Sequence, residues 1–446
     1  MKKLIENCRR HLSSVKAKVS AFLGSLESYQ VLSLGFLSYV FLGVLFLELP
    51  FSQKGGASFV DNIFNAVSAM STTGLTTGAI SDIYAPFGLF VLLVLMQLGA
   101  LGYMTITSFI ILSRTNSLST NRVRILAAEF PMPDGMCIPE FLRHIIAYTA
   151  ITEGLGAALL WWRFSALGVP QAPWSAVFHS VSAFGTAGFS LYADGFSAFK
   201  NDVWINAIIS VLCYAGAIGF IVPLDIYRRL RGRTKEITFT SKVILGITFA
   251  ILAIGTLFCY FESDIGFMAS FFQVMSASTT SGFNTVDIGK LSLPFLMMIM
   301  LVMVIGASPT GTGGGIKTTS VSVLLGIMSS VLRGEKEKIS FMGRIIPPAR
   351  IYTAMASTVS FMLFLFVSVL VLSTTEKFSF LELSFESASA FATVGLSMGI
   401  TSGLTVSGKL VLSAVMFVGR VGLLTFGLSF FAKIRSKEPR KDDIVV

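Results

Sequence analysis

The segment FNAVSAMSTTGL, at residues 64–75, organises this chain, because three further copies of it follow. The copies are FHSVSAFGTAGF at 178–189, FQVMSASTTSGF at 272–283 and FESASAFATVGL at 385–396. Each begins with Phe and keeps Ser-Ala at the fifth and sixth positions, Thr at the ninth, Gly at the eleventh and Phe or Leu at the twelfth. Six matched positions, at spacings of 114, 94 and 113 residues, predict an internal fourfold repeat.

A shorter glycine motif follows each copy after 24 to 28 residues. It reads GALG at 99–102, GAIG at 216–219, GASP at 306–309 and GRVG at 419–422. Each repeat therefore consists of an apolar run, the Phe-to-Gly segment, and a second apolar run that carries this glycine motif.

The composition excludes most soluble classes of protein. Of the 446 residues 53% are hydrophobic and 13% are charged, whereas soluble domains carry about 25% charged residues. The four cysteines and three histidines show no metal-ligand or disulfide spacing, and no catalytic motif is present. We therefore interpret the chain as an integral membrane protein and predict that it is not an enzyme.

Apolar runs that are long enough to cross a bilayer, about 20 residues each, pair with the repeated segments. They occur at 31–49, 89–112, 145–162, 205–226, 243–261, 351–373 and 410–431. An eighth run begins near Leu293, is interrupted by a glycine-rich stretch at 306–315, and resumes at 318–332. The segments between paired runs are too apolar and too short for free loops, so we expect each to re-enter the membrane.

Lysine and arginine divide unequally between the two sides that these spans define. One side carries 26 of them and the other side six, which predicts that both termini are cytosolic. Every repeat then enters and leaves on the cytosolic side. Four units of equal orientation pack around an axis along the membrane normal, which favours a pore over the inverted repeats of many secondary transporters.

The predicted fold is thus an all-α polytopic membrane protein with four span–pore-loop–span repeats in pseudo-fourfold symmetry around a central pore. The predicted segments are a cytosolic N-terminal tail (1–30), repeat 1 (31–113), a linker (114–142), repeat 2 (143–227), a linker (228–242), repeat 3 with a broken second span (243–332), a linker (333–350), repeat 4 (351–431) and a cytosolic C-terminal tail (432–446).

The repeated segment has the composition of an ion site made of backbone. We expect its Phe-to-Thr part to form a pore helix of one to two turns, whose negative C-terminal end faces the axis and favours a cation. The following Gly allows an extended strand to turn carbonyl oxygens toward that axis. Because no carboxylate lies in the four Thr-x-Gly strands, the ligands suit a large monovalent cation. The alternative is that the glycines only allow close helix packing.

The interruption of the third repeat predicts a loop inside the membrane, because three consecutive glycines after Pro309 cannot continue a helix. The stretch GTGGGIK at 311–317 differs from a Walker A loop, in which Gly immediately precedes Lys. Lys317 either contacts this loop or extends to the cytosolic interface. Arg420 lies in the middle of an apolar run, and we expect it to face the pore or to bond the loop carbonyls. Glu153 is also intramembrane, and we assign it no role.

The four filter-like strands, the GTGGGIK interruption and the GRVG motif together resemble the Trk/Ktr/HKT superfamily of potassium transporters, most closely the membrane subunit of Ktr systems. The resemblance covers about residues 31–431. It implies potassium selectivity through a glycine in every filter strand and a gate formed by the intramembrane loop. The implied ion-binding residues are Thr72, Thr73, Gly74, Thr186, Ala187, Gly188, Thr280, Ser281, Gly282, Thr393, Val394 and Gly395. The implied gate residues are Gly311, Gly313, Gly314, Gly315, Lys317 and Arg420.

The resemblance also implies partners and location. It predicts a homodimer in a bacterial cell membrane, in contact with lipid, on a cytosolic ring of nucleotide-binding subunits that sense ATP and ADP. Nucleic acid is not an expected partner. Potassium is the expected substrate, sodium is a candidate activating ion, and no cofactor is expected on this chain.

Two other classes of function compete with this interpretation. An ion-coupled carrier for a small organic solute would show inverted repeats and broken helices in matching halves, and uptake of such a solute would support it. A membrane-embedded enzyme would need a catalytic constellation, and metal- or His-dependent turnover would support it.

Overall fold

The described part of the chain is mostly helical. A computed structural model describes residues 28–115, 137–335 and 338–422, together with Leu118, Thr120, Val123, Leu126, Phe426 and Gly427. Most of the predicted N-terminal tail, most of the 114–142 linker, nearly all of the last predicted span beyond residue 422 and the C-terminal tail lie outside the described residues.

The described helices fall into four groups that follow the repeats. The helices of repeat 1 are α1 (Ser28–Leu47), α2 (Phe59–Met70), α3 (Ile80–Ile83), α4 (Pro86–Leu101) and α5 (Tyr103–Thr115). Those of repeat 2 are α6 (Ile138–Ala166), α7 (Ala172–Phe184), α8 (Val203–Ala217) and α9 (Ile221–Leu230). Repeat 3 has α10 (Phe239–Glu262), α11 (Phe267–Ser278), α12 (Leu293–Val304) and α13 (Thr318–Leu332), and repeat 4 has α14 (Pro348–Thr375), α15 (Phe380–Phe391) and α16 (Val406–Val421).

Short elements connect these helices. A hairpin of β1 (Ser340–Phe341) and β2 (Arg344–Ile345) pairs antiparallel in the linker before α14. Single 3₁₀ turns lie at Pro50–Ser52, Ser197–Phe199, Ile288–Lys290 and Thr401–Gly403.

The four predicted first spans correspond to long apolar helices. By length and composition α1, α6, α10 and α14 are each able to cross a membrane. Their outer faces are rich in exposed large apolar side chains, such as Phe41, Leu155, Phe249 and Phe366, which is what a lipid-facing helix requires.

The second spans are bent, and the expectation of continuous spans at 89–112 and 205–226 is wrong. Helices α4 and α5 meet at 84°, and α8 and α9 meet at 94°. Each bend falls in the glycine motif, where Gly102 has φ 76° and Gly219 has φ 81°. A left-handed residue cannot continue a right-handed helix, and apolar residues on both sides conceal the bend from hydropathy. Helix α16 likewise ends before Gly422, at φ 87°.

The same glycine motif also sets how closely the second span approaches its own short helix. A Cβ added to Gly99, Gly216 or Gly419 would collide with the carbonyl oxygen of the last residue of the short helix in the same repeat, which is Met70, Phe184 or Phe391. Glycine is needed there because only a bare backbone fits so close to a helix end. In repeat 3 the corresponding Gly306 packs against Gly314 of the intramembrane loop instead.

The short helices α2, α7, α11 and α15 are the predicted pore helices, but they are longer than the one to two turns expected. The repeated segment covers only their C-terminal part, because the first turns follow local capping signals. Ser58 with Asp61 and Ser379 with Glu382 form capping boxes that start α2 and α15 outside the repeat.

Each short helix packs against the long helix before it, and each second-span helix packs against the short helix of the next repeat. The order closes on itself, since α4 contacts α7, α8 contacts α11, α12 contacts α15, and α16 contacts α2. The first Phe of every repeated segment, at Phe64, Phe178, Phe272 and Phe385, is fully buried at these contacts. The short helices are therefore held at the centre of the molecule.

Candidate functional site

Each short helix ends in the same strained turn, at the threonine of the repeated segment. The four threonines adopt left-handed backbone angles, with φ of 54° at Thr72, 50° at Thr186, 55° at Thr280 and 52° at Thr393. In each copy the next N–H bonds back to the carbonyl of the repeated serine, as from Thr73 to Ser68 at 2.9 Å. This is a Schellman turn, in which the left-handed position is usually glycine.

A β-branched residue at that position is a conformational outlier. Finding it four times at one place indicates that the threonine side chain is needed there. All four side chains are fully buried. Among the described residues the Oγ1 atoms of Thr280 and Thr393 have no hydrogen-bond partner.

The four glycines of the repeated segments lie against one another in a closed order. All have positive φ, with values of 97° at Gly74, 68° at Gly188, 76° at Gly282 and 92° at Gly395. A Cβ on any of them would approach a carbonyl oxygen of the next strand to less than 3.0 Å. The oxygens met in this way, in ring order, belong to Ala187, Ser281, Val394 and Thr73.

The side chains of these last four residues are fully buried in the protein. Two of them, Ala187 and Val394, belong to the hydrophobic core. The side chains of Ala187 and Val394 carry no polar atom. The polar group that all four strands present at this position is therefore the backbone carbonyl.

The serine of the repeated segment forms hydrogen bonds with the strand that follows the short helix. Ser68 Oγ accepts a hydrogen bond from the N–H of Gly74 at 3.1 Å, and Ser389 Oγ accepts one from Gly395 at 3.0 Å. In repeat 2 the Ser182 hydroxyl instead donates to the carbonyl of Phe189 at 2.9 Å. The Ser-Ala pair of the sequence motif is therefore explained by strand support and by close packing.

On one side the glycine strands open into a cavity of about 670 Å³. Its lining comes from all four repeats and includes the carboxylates of Asp194 and Asp287 and the ammonium of Lys290. This cavity leads directly to the four glycines.

On the opposite side the strands are covered by the loop between α12 and α13, residues 305–317, which we call the intramembrane loop. It folds back on itself through backbone bonds from Gly306 N–H to the Ile316 carbonyl at 3.1 Å and from Ala307 N–H to the Gly314 carbonyl at 3.0 Å. It is also bonded to the end of α8, since Ser308 N–H donates to the Ala217 carbonyl at 3.0 Å. The predicted break in the third repeat is therefore an ordered loop.

The intramembrane loop touches all four strained threonines. Thr72 Oγ1 donates to the Thr312 carbonyl at 3.2 Å, and the hydroxyls of Thr186 and Thr312 lie 3.0 Å apart. A Cβ on Gly313 would collide with Thr280 Oγ1, and one on Gly314 would collide with Thr393 Oγ1. Of the predicted loop residues, Gly313 and Gly314 thus lie against the strand threonines, whereas Gly311 lies against the Ala217 carbonyl and Gly315 against Gly306.

Both intramembrane cations contact this loop. Lys317 Nζ donates to the Gly313 carbonyl at 2.6 Å, so the lysine holds the loop instead of extending away from it. Arg420 donates to the carbonyls of Thr312 and Gly99, and to that of Ala100 at 3.4 Å. Both side chains line a cavity of about 330 Å³ beneath the loop.

Sequence reasoning missed Thr312. It contacts two strand threonines, donates to the Phe184 carbonyl at 3.2 Å and accepts from Arg420. The available signal was a single hydrogen-bonding side chain inside a run of glycines. Glu153 accepts a hydrogen bond of 3.2 Å from Gln97. Among the described residues no group of three His, Cys, Asp or Glu side chains could hold a metal.

Apolar bilayer-length helices around a ring of backbone oxygens define a multi-pass membrane protein for cation transport. The family model described as TrkH, cation transport protein, matches residues 48–263 and 247–439. The chain belongs to this family, which confirms the resemblance and the prediction that it is a membrane transporter and not an enzyme.

Two curated relatives resemble the chain over nearly its whole length. The Ktr system potassium uptake protein B of Bacillus subtilis is 33% identical, over 93% of this chain and 95% of that protein. The potassium/sodium uptake protein NtpJ of Enterococcus hirae is 32% identical, again over 93% and 95%. The crystal structure of the potassium transporter TrkH from Vibrio parahaemolyticus superposes with a TM-score of 0.69 over 89% of this chain and 84% of that chain, at 20% identity, which supports the fold.

Proposed function

We propose that this chain takes up potassium across the cell membrane through a pore on a pseudo-fourfold axis, with both termini in the cytosol. One observation carries the proposal: four Thr-x-Gly strands contact one another in a closed ring, each glycine against a backbone carbonyl of the next strand. A ring of neutral oxygens can replace the hydration shell of a monovalent cation.

The proposed ion ligands are the carbonyls of the Thr-x-Gly strands and the hydroxyls of the four threonines. The unpartnered Oγ1 atoms of Thr280 and Thr393 support this assignment, because a buried hydroxyl without a partner is costly. Relatives named for potassium uptake support potassium as the substrate. The name of NtpJ includes sodium, and sodium remains a second candidate ion.

The intramembrane loop is the proposed gate. It lies against all four threonines. Two cations contact its backbone: Lys317, which is its last residue, and Arg420. A cation leaving the strands toward this side would meet both the loop backbone and the positive charges of Lys317 and Arg420. Conduction therefore needs the loop to move, and shortening the 311–315 stretch by Gly313 and Gly314 is expected to raise flux. A large drop in flux with normal insertion would contradict the gate.

We further propose that the chain works as a homodimer on a cytosolic nucleotide-binding ring. Two relatives are named as parts of a Ktr system, which supports a multi-component assembly. The ring would move the loop through the cytosolic linkers, for which the segment from α9 to α10 is a candidate. In that segment Arg228 and Arg233 share the carboxylate of Glu140.

Labelled-rubidium uptake in a potassium-uptake-deficient bacterium tests the proposal. Uptake that potassium blocks and sodium barely blocks is the expected result. Equal block by both ions would keep the pore and overturn its selectivity. If well-inserted protein gives no uptake, a cytosolic nucleotide-binding subunit is added, and uptake that stays absent would overturn the transport proposal.

A further inference from the structure

The second residue of each repeated segment differs between the copies, but in every copy its side chain is able to form hydrogen bonds. It is Asn65, His179, Gln273 and Glu386 in the four repeats, always a side chain that forms hydrogen bonds. All four are fully buried. A polar group buried this deeply is costly unless it is bonded, so its partners indicate its use.

In every repeat at least one of those partners lies two or three residues beyond the glycine of the same repeat. Asn65 accepts from Thr77 N–H at 3.3 Å and donates to Thr77 Oγ1 at 3.2 Å. Gln273 donates to Thr285 Oγ1 at 3.1 Å. Repeats 1 and 3 thus use the same pair, an amide side chain and a threonine.

In repeats 2 and 4 the buried side chain instead accepts a hydrogen bond from this part of the strand, from a backbone N–H in repeat 2 and from a hydroxyl in repeat 4. His179 Nε2 accepts from Leu191 N–H at 3.2 Å. Its Nδ1 lies 2.8 Å from the Ser175 carbonyl, which can only accept, so Nδ1 carries the proton and both bonds agree on one tautomer. Glu386 accepts from the hydroxyl of Ser397, two residues beyond Gly395, and from the hydroxyl of Thr401 at 3.3 Å.

Each side chain therefore spans from the pore helix to the far end of its strand. The near end of that strand is already fixed by the Schellman turn at the threonine. With both ends fixed, the carbonyls between them cannot shift freely, and discrimination between ions depends on where those oxygens lie.

We propose that Asn65, His179, Gln273 and Glu386 are positioning residues that set ion selectivity by fixing the outer end of each strand. The proposal rests on the proposed transport function. The residues act through the strand and do not contact the ion.

Gln273 and Thr285 offer the sharpest test, because they form a neutral pair. Gln273→Leu and Thr285→Val each remove the bond while keeping the volume. We expect either change to lower the preference for potassium over sodium about three- to tenfold in rubidium-uptake competition, the range for one hydrogen bond of ordinary net strength. The double variant is expected to lose no more than the worse single variant, since both changes break one bond.

Conservative and neighbouring variants separate positioning from folding. Gln273→Asn copies the pair of repeat 1 and is expected to retain most of the preference. Ser387→Ala is a matched control for Glu386→Ala, because Ser387 is the next residue, is fully buried and bonds to Ser368 on α14 rather than to the strand. Glu386→Ala should lose selectivity and Ser387→Ala should keep it, at equal amounts of inserted protein.

The outcomes distinguish this proposal from the transport proposal. Unmodified protein that transports no rubidium, or that does not prefer potassium, would overturn the proposed function. Unmodified protein that prefers potassium, together with Gln273→Leu and Glu386→Ala variants that prefer it equally, would overturn the positioning role alone. Additive losses in the Gln273 and Thr285 double variant would also overturn it.

Discussion

The guanidinium of Arg420 donates a hydrogen bond to the carbonyl oxygen of Thr312, a residue 108 positions earlier in the chain. It also bonds the Gly99 carbonyl at the end of α4. One cation therefore connects the intramembrane loop to repeats 1 and 4. A partly buried arginine is stable in this position because it is bonded to carbonyls at several of its donors.

Replacing this arginine should release the loop. We expect Arg420→Ala to raise rubidium uptake at least about tenfold, because a charge-assisted hydrogen bond that holds the loop in place contributes roughly 1.5–3 kcal/mol and every 1.4 kcal/mol is about a factor of ten. The measurement is the initial uptake rate per inserted protein. Arg333→Ala is the control, since the hydrogen bonds of Arg333 among the described residues go to Ser329 of its own helix α13. An unchanged rate for Arg420→Ala would show that the bond does not hold the gate.

The Thr312 hydroxyl gives a finer test of the loop contacts. Thr312→Val keeps the shape but removes the bonds to Thr186 and to the Phe184 carbonyl. We expect a rise in uptake smaller than that of Arg420→Ala, about two- to fivefold for neutral bonds, whereas Thr312→Ser should behave like the unmodified protein. If Val and Ser variants transport at the same rate, the hydroxyl has no part in closure.

A serine at one ring glycine should damage selectivity. The Cβ of Gly282→Ser would collide with the Val394 carbonyl, and the position has φ 76°. Strain of this kind costs of order 1–3 kcal/mol, and it is relieved by moving the ring. The expected result is a fall in potassium-over-sodium preference of at least about threefold. Gly246→Ser is the control, because a Cβ at Gly246 meets nothing within 4 Å, and equal behaviour of both variants would contradict the ring.

An ion pair links repeat 4 to repeat 1. Lys409 Nζ lies 2.8 Å from Asp61 Oδ1, with 15% and 16% of the side chains exposed, and joins α16 to α2. Lys409→Met should lower the free energy of unfolding by about 1.5–3 kcal/mol, seen as a lower melting temperature in detergent.

Lys290→Met provides the comparison for this ion pair. The Lys290–Asp287 pair is 83% and 56% exposed, and exposed pairs contribute little to stability. Equal shifts in melting temperature for the two lysine variants would show that the Asp61 pair adds nothing beyond a surface contact.

The sequence predicted the repeat and its parts well, for reasons that are local. Phe, Ser-Ala, Thr and Gly recur because each repeat forms the same turn and the same close contact, so spacing alone revealed them. Long apolar helices such as α6 and α14 were predicted because their length and composition are set by the bilayer.

The failures of prediction concern geometry between distant residues. The bends at Gly102 and Gly219 lie within uniformly apolar runs, and hydropathy does not report a left-handed residue. The first turns of α2 and α15 start at caps outside the repeated segment. Thr312 was overlooked because its partners, Thr72, Thr186 and Arg420, are brought to it only by the fold.

By itself the sequence determined that this is a membrane protein with four copies of one segment and a glycine in every copy, because composition and spacing are properties of the chain. Only the tertiary structure decided which atoms meet: each glycine with the next strand, the loop with four threonines, and four different buried side chains with the residues that follow the glycines. Those contacts join residues from separate repeats or from opposite ends of one strand. They form only when the four repeats pack against one another, and this packing cannot be deduced from any single stretch of sequence.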